Sequence, residues 1–131
     1  MQRTLLIVDD SGVCAENLEF ALAGVAGCST SVVHSAEDAL HILVQGSVVG
    51  MVTDLHLPKM EGLDLVIAVR SRTGGERIPI LVVSGDSDPR TPQRAIQAGA
   101  NGFFAKPYSP AGIRKRMEEL LLSVASEGSG L

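Results

Sequence analysis

Leu5-Leu6-Ile7-Val8-Asp9-Asp10-Ser11 is the stretch on which the fold turns. Four consecutive apolar residues run straight into two aspartates and a serine. A strand with one wet face alternates apolar and polar side chains, whereas a strand covered on both faces, as in a parallel sheet, is apolar throughout. The abrupt change at Asp9 places the end of that strand at a charged edge, and Ser11 is the right residue type to cap a helix leaving it. The same signature recurs along the chain. Ser31–Val33, Val48–Thr53, Ile80–Ser84 and Gly102–Ala105 are the other strand candidates, each bounded by Asp, Ser, Gly or Pro.

Helical patterns fill the gaps. Ser11 precedes a face of Cys14, Leu18, Ala21 and Leu22. Ser35-Ala36-Glu37-Asp38 reads as a capping box with Asp in place of Glu, followed by Ala39, Leu40 and Leu43. Leu63, Val66, Ile67 and Arg70 mark a third helix, and Pro92 to Ala98 a short fourth closed by Gly99. Ser109-Pro110 is an N-cap with proline at the first helical position, leading a stripe of Ile113, Met117, Leu120, Leu121 and Val124. Five strand–helix units in succession predict right-handed crossovers and an α/β fold: a doubly wound, five-stranded parallel sheet flanked by five helices. One domain is expected over residues 1–125. Ser126-Glu127-Gly128-Ser129-Gly130-Leu131 is polar and glycine-rich, and is expected to be a flexible tail.

Composition narrows the function classes. The 131 residues are 45% hydrophobic with a net charge of −4, which argues against direct nucleic-acid binding. Aromatic residues make up 3% and Trp is absent, so base-stacking platforms and aromatic cages are not expected. The first apolar run has four residues, against roughly 7–15 for a signal peptide. No stretch approaches the ~18 apolar residues of a membrane span. Cys14 and Cys28 form no disulfide framework and read as buried free thiols. The expectation is a cytoplasmic protein with no membrane contact.

Ligands of a doubly wound sheet bind at the carboxyl ends of its strands. The first strand is followed there by Asp9 and Asp10, the third by Asp54, the fourth by Ser84 and the fifth by Lys106. The second offers His34 and Ser35, and Ser35 is already used as a cap. His34 and His41 are read as surface or packing residues away from the rim. Two carboxylates ~4 Å apart repel by roughly 4 kcal/mol at an effective dielectric near 20. A hard divalent cation such as Mg²⁺ relieves this, held by carboxylates and phosphate oxygens. Aspartates, a hydroxyl and one lysine on one rim outline a phosphoryl-transfer site. An Asp carboxylate would be the nucleophile, Lys106 would neutralise the transferring group, and Ser84 would donate a hydrogen bond to it. Each residue alone has a plainer reading as a cap, a turn or a solvated lysine. The weight lies in their joint placement.

The chain resembles the receiver domain of two-component response regulators from Leu5 to about Leu122. The motifs are Val8-Asp9-Asp10-Ser11, Thr53-Asp54-Leu55-His56-Leu57-Pro58-Lys59-Met60-Glu61-Gly62, Val82-Val83-Ser84-Gly85 and Ala98-Gly99-Ala100-Asn101-Gly102-Phe103-Phe104-Ala105-Lys106-Pro107. The resemblance implies a flavodoxin-like strand order of 2-1-3-4-5. It implies Asp54 as phosphoacceptor, served by a sensor histidine kinase, a phosphotransfer protein or a small phosphodonor. Asp10 and Asp54 would hold Mg²⁺ with the backbone carbonyl of His56, and Asp9 would act through a bound water. Lys106 would pair with Asp54 and then with the phosphoryl group. Ser84 and Phe103 match the hydroxyl and aromatic switch positions, whose movement remodels the surface of the fourth helix, fifth strand and fifth helix for a downstream effector. Such a domain is not an enzyme beyond its own phosphorylation and dephosphorylation.

Three departures from the family pattern are mild. Ser84 stands where Thr is commoner, Phe103 lacks the hydroxyl of the frequent Tyr, and Leu57 replaces a usual Met. His56, together with Asp86, is a candidate for setting the phosphate lifetime. Rival readings fit less well: a haloacid-dehalogenase-like phosphatase wants an Asp where His56 stands, and Asp9-Asp10 would repel the phosphate of a flavodoxin-like ligand. The chain is read either as a free-standing receiver or as one excised from a longer regulator or hybrid kinase. Arg114, Lys115 and Arg116 are a possible partner or homodimer contact, although a solvated face is the plainer reading.

Overall fold

The apolar runs become the strands of one sheet because only a surface covered on both sides suits them. The computed structural model describes residues 3–129. In chain order it forms β1 (Thr4–Val8), α1 (Gly12–Leu22), β2 (Ser29–Val33), α2 (Ala36–Leu43), β3 (Val48–Asp54), α3 (Gly62–Arg70), β4 (Ile80–Ser84), α4 (Thr91–Ala98), β5 (Gly102–Ala105) and α5 (Pro110–Ser129). A 3-10 turn, Gly75–Arg77, precedes β4. The sheet is parallel throughout with order β2-β1-β3-β4-β5, as the resemblance implied.

Alternation along each strand feeds two cores. Leu6, Val8, Met51, Ile80 and Val82 face α2, α3 and α4, where Ala39, Leu65, Val66, Val69 and Ala95 meet them. Leu5, Ile7, Val52, Leu81 and Val83 face α1 and α5, against Leu18, Leu22, Ile113 and Met117. β1 and β4 are buried along their whole length. The sheet therefore holds its carboxyl-end residues on a rigid frame.

Four local readings need adjustment. β2 starts at Ser29 rather than Ser31, because Thr4 and Leu5 pair with Ser29 and Thr30 at the sheet edge, where polar residues are tolerated. α3 buries Leu65, Val66 and Val69, while Ile67 is half-exposed, so its core face is rotated from the one expected. Cys14 and Cys28 are free but only partly buried. α5 continues to Ser129, so helix occupies most of the stretch expected to be a loose tail, and residues 130–131 lie outside the described residues. The caps are as read: Ser11 accepts from the Cys14 N–H (3.4 Å), Ser35 from Asp38 (3.1 Å) and Ser109 from Gly112 (3.2 Å). Gly99 ends α4 in the left-handed region at φ 118°.

Candidate functional site

Because all five strands run the same way, their carboxyl ends share one rim, and the polar residues that close each apolar run meet there. Asp9 and Asp10 follow β1, Asp54 and Ser84 are the last residues of β3 and β4, and Lys106 follows β5. One carboxylate oxygen from each of Asp9, Asp10 and Asp54 lies within 4.8 Å of the others. Asp9 and Asp54 are buried and Asp10 is exposed.

Asp54 is held from two sides. The Lys106 Nζ donates to its Oδ2 at 3.2 Å, and the His56 N–H donates to its Oδ1 at 3.3 Å. Asp9 Oδ1 accepts from the Ser11 N–H at 2.8 Å, but Asp9 Oδ2 is buried with no hydrogen-bond partner among the described residues. Burial raises the Asp9 carboxyl above the usual carboxylate range; the Ser11 N–H opposes this, and the neighbouring charges of Asp54 and Asp10 add to it. Burial pulls the Lys106 ammonium down, yet the Asp54 charge, its hydrogen bond and Asp9 outweigh that and leave it raised. A rim with three carboxylates, one cation and an orphaned oxygen is short of positive charge. Its donors are all oxygen, the set that suits a hard divalent cation.

The supporting residues come from the loops. Gly62, the first residue of α3, sits directly on the Asp54 carbonyl and the Leu55 backbone, where a Cβ would collide. Only glycine lets α3 start this close, and the Gly62 N–H donates to Leu55 at 2.7 Å. Ser84 is fully buried and its hydroxyl accepts from the Asp86 N–H at 2.9 Å. His56 spans the mouth: its Nδ1 is 3.2 Å from Glu61 Oε2 and its Nε2 is 3.9 Å from Asp86 Oδ2. Phe103 is partly buried on the α4 side of the sheet.

Every sequence-derived candidate except Phe103, which lies along β5, therefore sits on or beside the rim. Two participants were missed. Glu61 pairs with His56, a contact set by the turn between β3 and α3, and nothing in the residue order signals it. His34 is not remote from the rim as expected: its Nδ1 lies 2.9 Å from the Asp9 carbonyl. The available signal was its position as the first residue after β2, next to the end of β1.

A doubly wound parallel sheet with acidic groups and a lysine at its carboxyl edge defines a class of phosphate-handling signalling domains. Within that class, a family model for the response regulator receiver domain matches residues 5–118, and the chain belongs to that family. It is 28% identical over 126 residues to a chemotaxis protein CheY homolog of Campylobacter jejuni, covering 95% of this chain and 97% of that protein. It is 29% identical over 116 residues to the chemotaxis protein CheY of Pseudomonas aeruginosa, covering 88% of this chain and 94% of that one. Among solved structures, the signal receiver domain of a Syntrophus aciditrophicus signal transduction histidine kinase superposes with a TM-score of 0.83 at 28% identity, covering 93% of this chain and 92% of that one. The Vibrio cholerae chemotaxis regulator CheY4 does so at 0.74 and 25%, covering 97% and 98%. This is a CheY-like receiver domain of two-component signalling. Receiver domains bind Mg²⁺ at an acidic pocket, and the cluster of Asp9, Asp10 and Asp54 with the orphaned Asp9 oxygen fits that ion. No helix among the described residues is long and apolar enough to cross a membrane.

Proposed function

We propose that residues 1–125 act as a phosphoreceiver in which Asp54 accepts a phosphoryl group from the phosphohistidine of a sensor histidine kinase or phosphotransfer protein. An Asp54 carboxylate oxygen attacks phosphorus, the bond from phosphorus to the donor's imidazole nitrogen breaks, and the departing imidazole takes its proton from solvent. Asp9, Asp10, Asp54 and the His56 carbonyl would hold Mg²⁺, which supplies charge neutralisation for the carboxylates and the transferring oxygens. Lys106 orients Asp54 before transfer and pairs with the phosphoryl oxygens afterwards. The Ser84 hydroxyl accepts from Asp86, which leaves its own proton free to donate to the phosphoryl group. That pull would draw Ser84 inward and let Phe103 follow, biasing the α4–β5–α5 surface between two packings read by a downstream effector. The observation that carries the reading is the 3.2 Å Lys106–Asp54 contact set among two further carboxylates.

The test is incubation with acetyl phosphate and Mg²⁺, followed by intact mass and peptide mapping. One phosphoryl group is expected, on Asp54, absent without Mg²⁺ and absent from Asp54→Ala. Labelling that persists in Asp54→Ala overturns the assignment.

A further inference from the structure

α5 changes character halfway along. Its first half seats Ile113 and Met117 in the core with no exposed surface. The stretch 118–125 then holds Leu120, Leu121, Leu122, Val124 and Ala125, and every one of them is half-buried or exposed, Leu122 by 71%. α5 starts at the carboxyl rim and runs back along the sheet, so this apolar content arrives at the amino end of β1, beside Arg3 and the turn between α1 and β2. Single exposed apolar residues need no explanation, whereas a grouped set rimmed by charge marks an interaction surface.

The grouping has a shape. Glu118, Leu121, Leu122 and Ala125 follow the i, i+3, i+4, i+7 spacing of one helical face. With Arg3, Val25 and Ala26 they line an open groove of about 410 Å³. Arg3 is fixed there from two directions. Its carbonyl accepts from the Ser29 N–H (2.9 Å), and its Nη1 reaches over the turn to within 3.6 Å of where a Cβ would stand on Gly27. Neither Arg3 nor Glu118 holds an ion pair among the described residues. One groove therefore combines an apolar lining, an unpaired base, an unpaired acid and a protruding leucine.

We infer that the occupant of this groove is a second copy of the chain, related by a two-fold axis. Leu122 of each copy enters the other's groove, and Arg3 of each meets the partner's Glu118. A two-fold interface uses the same patch on both sides, so the patch must be complementary to itself. This one is, because a copy supplies the acid that Arg3 lacks, the base that Glu118 lacks and the side chain that fills the groove. A partner acidic or basic throughout would satisfy one charge and repel the other, and an uncharged apolar segment would leave both unpaired. The contact is small, in the weak class below about 1,200 Å², and the dimer is expected to dissociate with a Kd of about 10–300 μM. The groove lies on the α1 side of α5, at the opposite end of the sheet from Asp54, so the inference stands apart from the phosphoreceiver reading and its output surface.

The experiment measures sedimentation velocity of the full chain and its variants from about 10 μM to about 1 mM. The parent is expected to pass from monomer to dimer across this range, and Leu122→Lys to stay monomeric throughout with an unchanged melting temperature. Arg3→Glu and Glu118→Arg, each alone, set two like-charge pairs in the interface and should weaken dimerisation about tenfold or more. An equal mixture of these two variants should recover dimerisation to within about threefold of the parent, because each mixed dimer regains two opposite-charge pairs. A parent that is monomeric at every concentration, a dimer indifferent to Leu122→Lys, assembly beyond a dimer, or a mixture no better than its components would each overturn the inference.

Discussion

Two partly buried cations at opposite ends of the sheet are treated in opposite ways. Lys106, at the carboxyl rim, contacts Asp54 within a group of three carboxylates, and it satisfies Asp54 while an Asp9 oxygen stays without a partner among the described residues. Arg70, the last residue of α3, sits at the amino ends of β4 and β5. Its Nε donates to Gly99 O (2.8 Å), its Nη1 to Gly75 O (2.7 Å) and Ile78 O (2.6 Å), and its Nη2 to Asn101 Oδ1 (2.9 Å). All four acceptors are neutral. Burial lowers the Arg70 guanidinium, with Glu76 opposing, and the hydrogen bonds engage four of its five N–H donors. Asn101 Oδ1 also accepts from the Ile80 N–H (2.8 Å), so one junction ties α3, β4 and the α4–β5 turn together. The contrast separates a charge that completes the fold from charges the fold leaves incomplete. The second kind is where a ligand has something to gain.

Breaking each side should give opposite signatures. Lys106→Ala should slow phosphorylation by acetyl phosphate about 100- to 1,000-fold, the usual consequence of removing one preorganised donor to a developing charge. Time-resolved intact mass measures it, and a rate within threefold of the parent would remove Lys106 from the proposed mechanism. Arg70→Ala should leave that rate nearly intact but destabilise the fold by about 3 kcal/mol, because several carbonyls lose a charged donor at once. Urea unfolding measures this, and Arg70→Lys should recover part of the loss, since one ammonium cannot span all four acceptors.

The two sides also differ in how far the sequence reveals them. The rim was legible because a parallel strand's apolar run ends where the core ends, so the next residue is on the edge whatever the loops do. Asp9, Asp54, Ser84 and Lys106 follow from that alone. Arg70 was legible as a helical residue, but its four acceptors come from two separate connections, α3–β4 and α4–β5, and depend on where α3 stops relative to β4. Glu61 was missed because the local turn between β3 and α3 sets its contact with His56, and His34 because its place beside Asp9 follows only once β2 is paired with β1. The face of α3 was misphased because Leu63, Val66 and Ile67 are as apolar as Leu65 and Val69, and only the packing of Gly62 on β3 sets the rotation.

A third test sharpens the idea that the rim is incomplete. Asp9→Asn removes a buried charge whose oxygen has no partner, so without metal the variant should be more stable than the parent by about 1 kcal/mol. The raised Asp9 carboxyl means the folded parent holds a proton more tightly than the unfolded chain. The parent therefore loses stability as pH rises through the carboxylate range, and the advantage of Asp9→Asn should grow over that interval and then level off. In Mg²⁺ the order should shrink or reverse, since the ion stabilises the folded parent by mass action. Melting curves with and without Mg²⁺ check both statements. A variant less stable than the parent at every pH would show that Asp9 is satisfied in solution.

The smallest effect is expected at His56. Its ring is largely exposed, and its two contacts at 3.2 and 3.9 Å are with partly exposed carboxylates, so its removal should change stability by well under 1 kcal/mol. Its position is nonetheless specific: the ring is tethered to Glu61 on one side and reaches toward Asp86 on the other, and the same residue's N–H holds Asp54 Oδ1. A side chain fixed there both hinders and orients water attacking an acyl phosphate, and the tether determines which. His56→Ala removes hindrance and orientation together, whereas Glu61→Gln keeps the ring and loosens it. If the tether matters, the two variants should alter the half-life of phosphorylated Asp54 by a few fold and unequally, with melting temperatures unchanged. Identical half-lives in parent, His56→Ala and Glu61→Gln would reduce His56 to its backbone and leave the rim's chemistry to the residues at the strand ends.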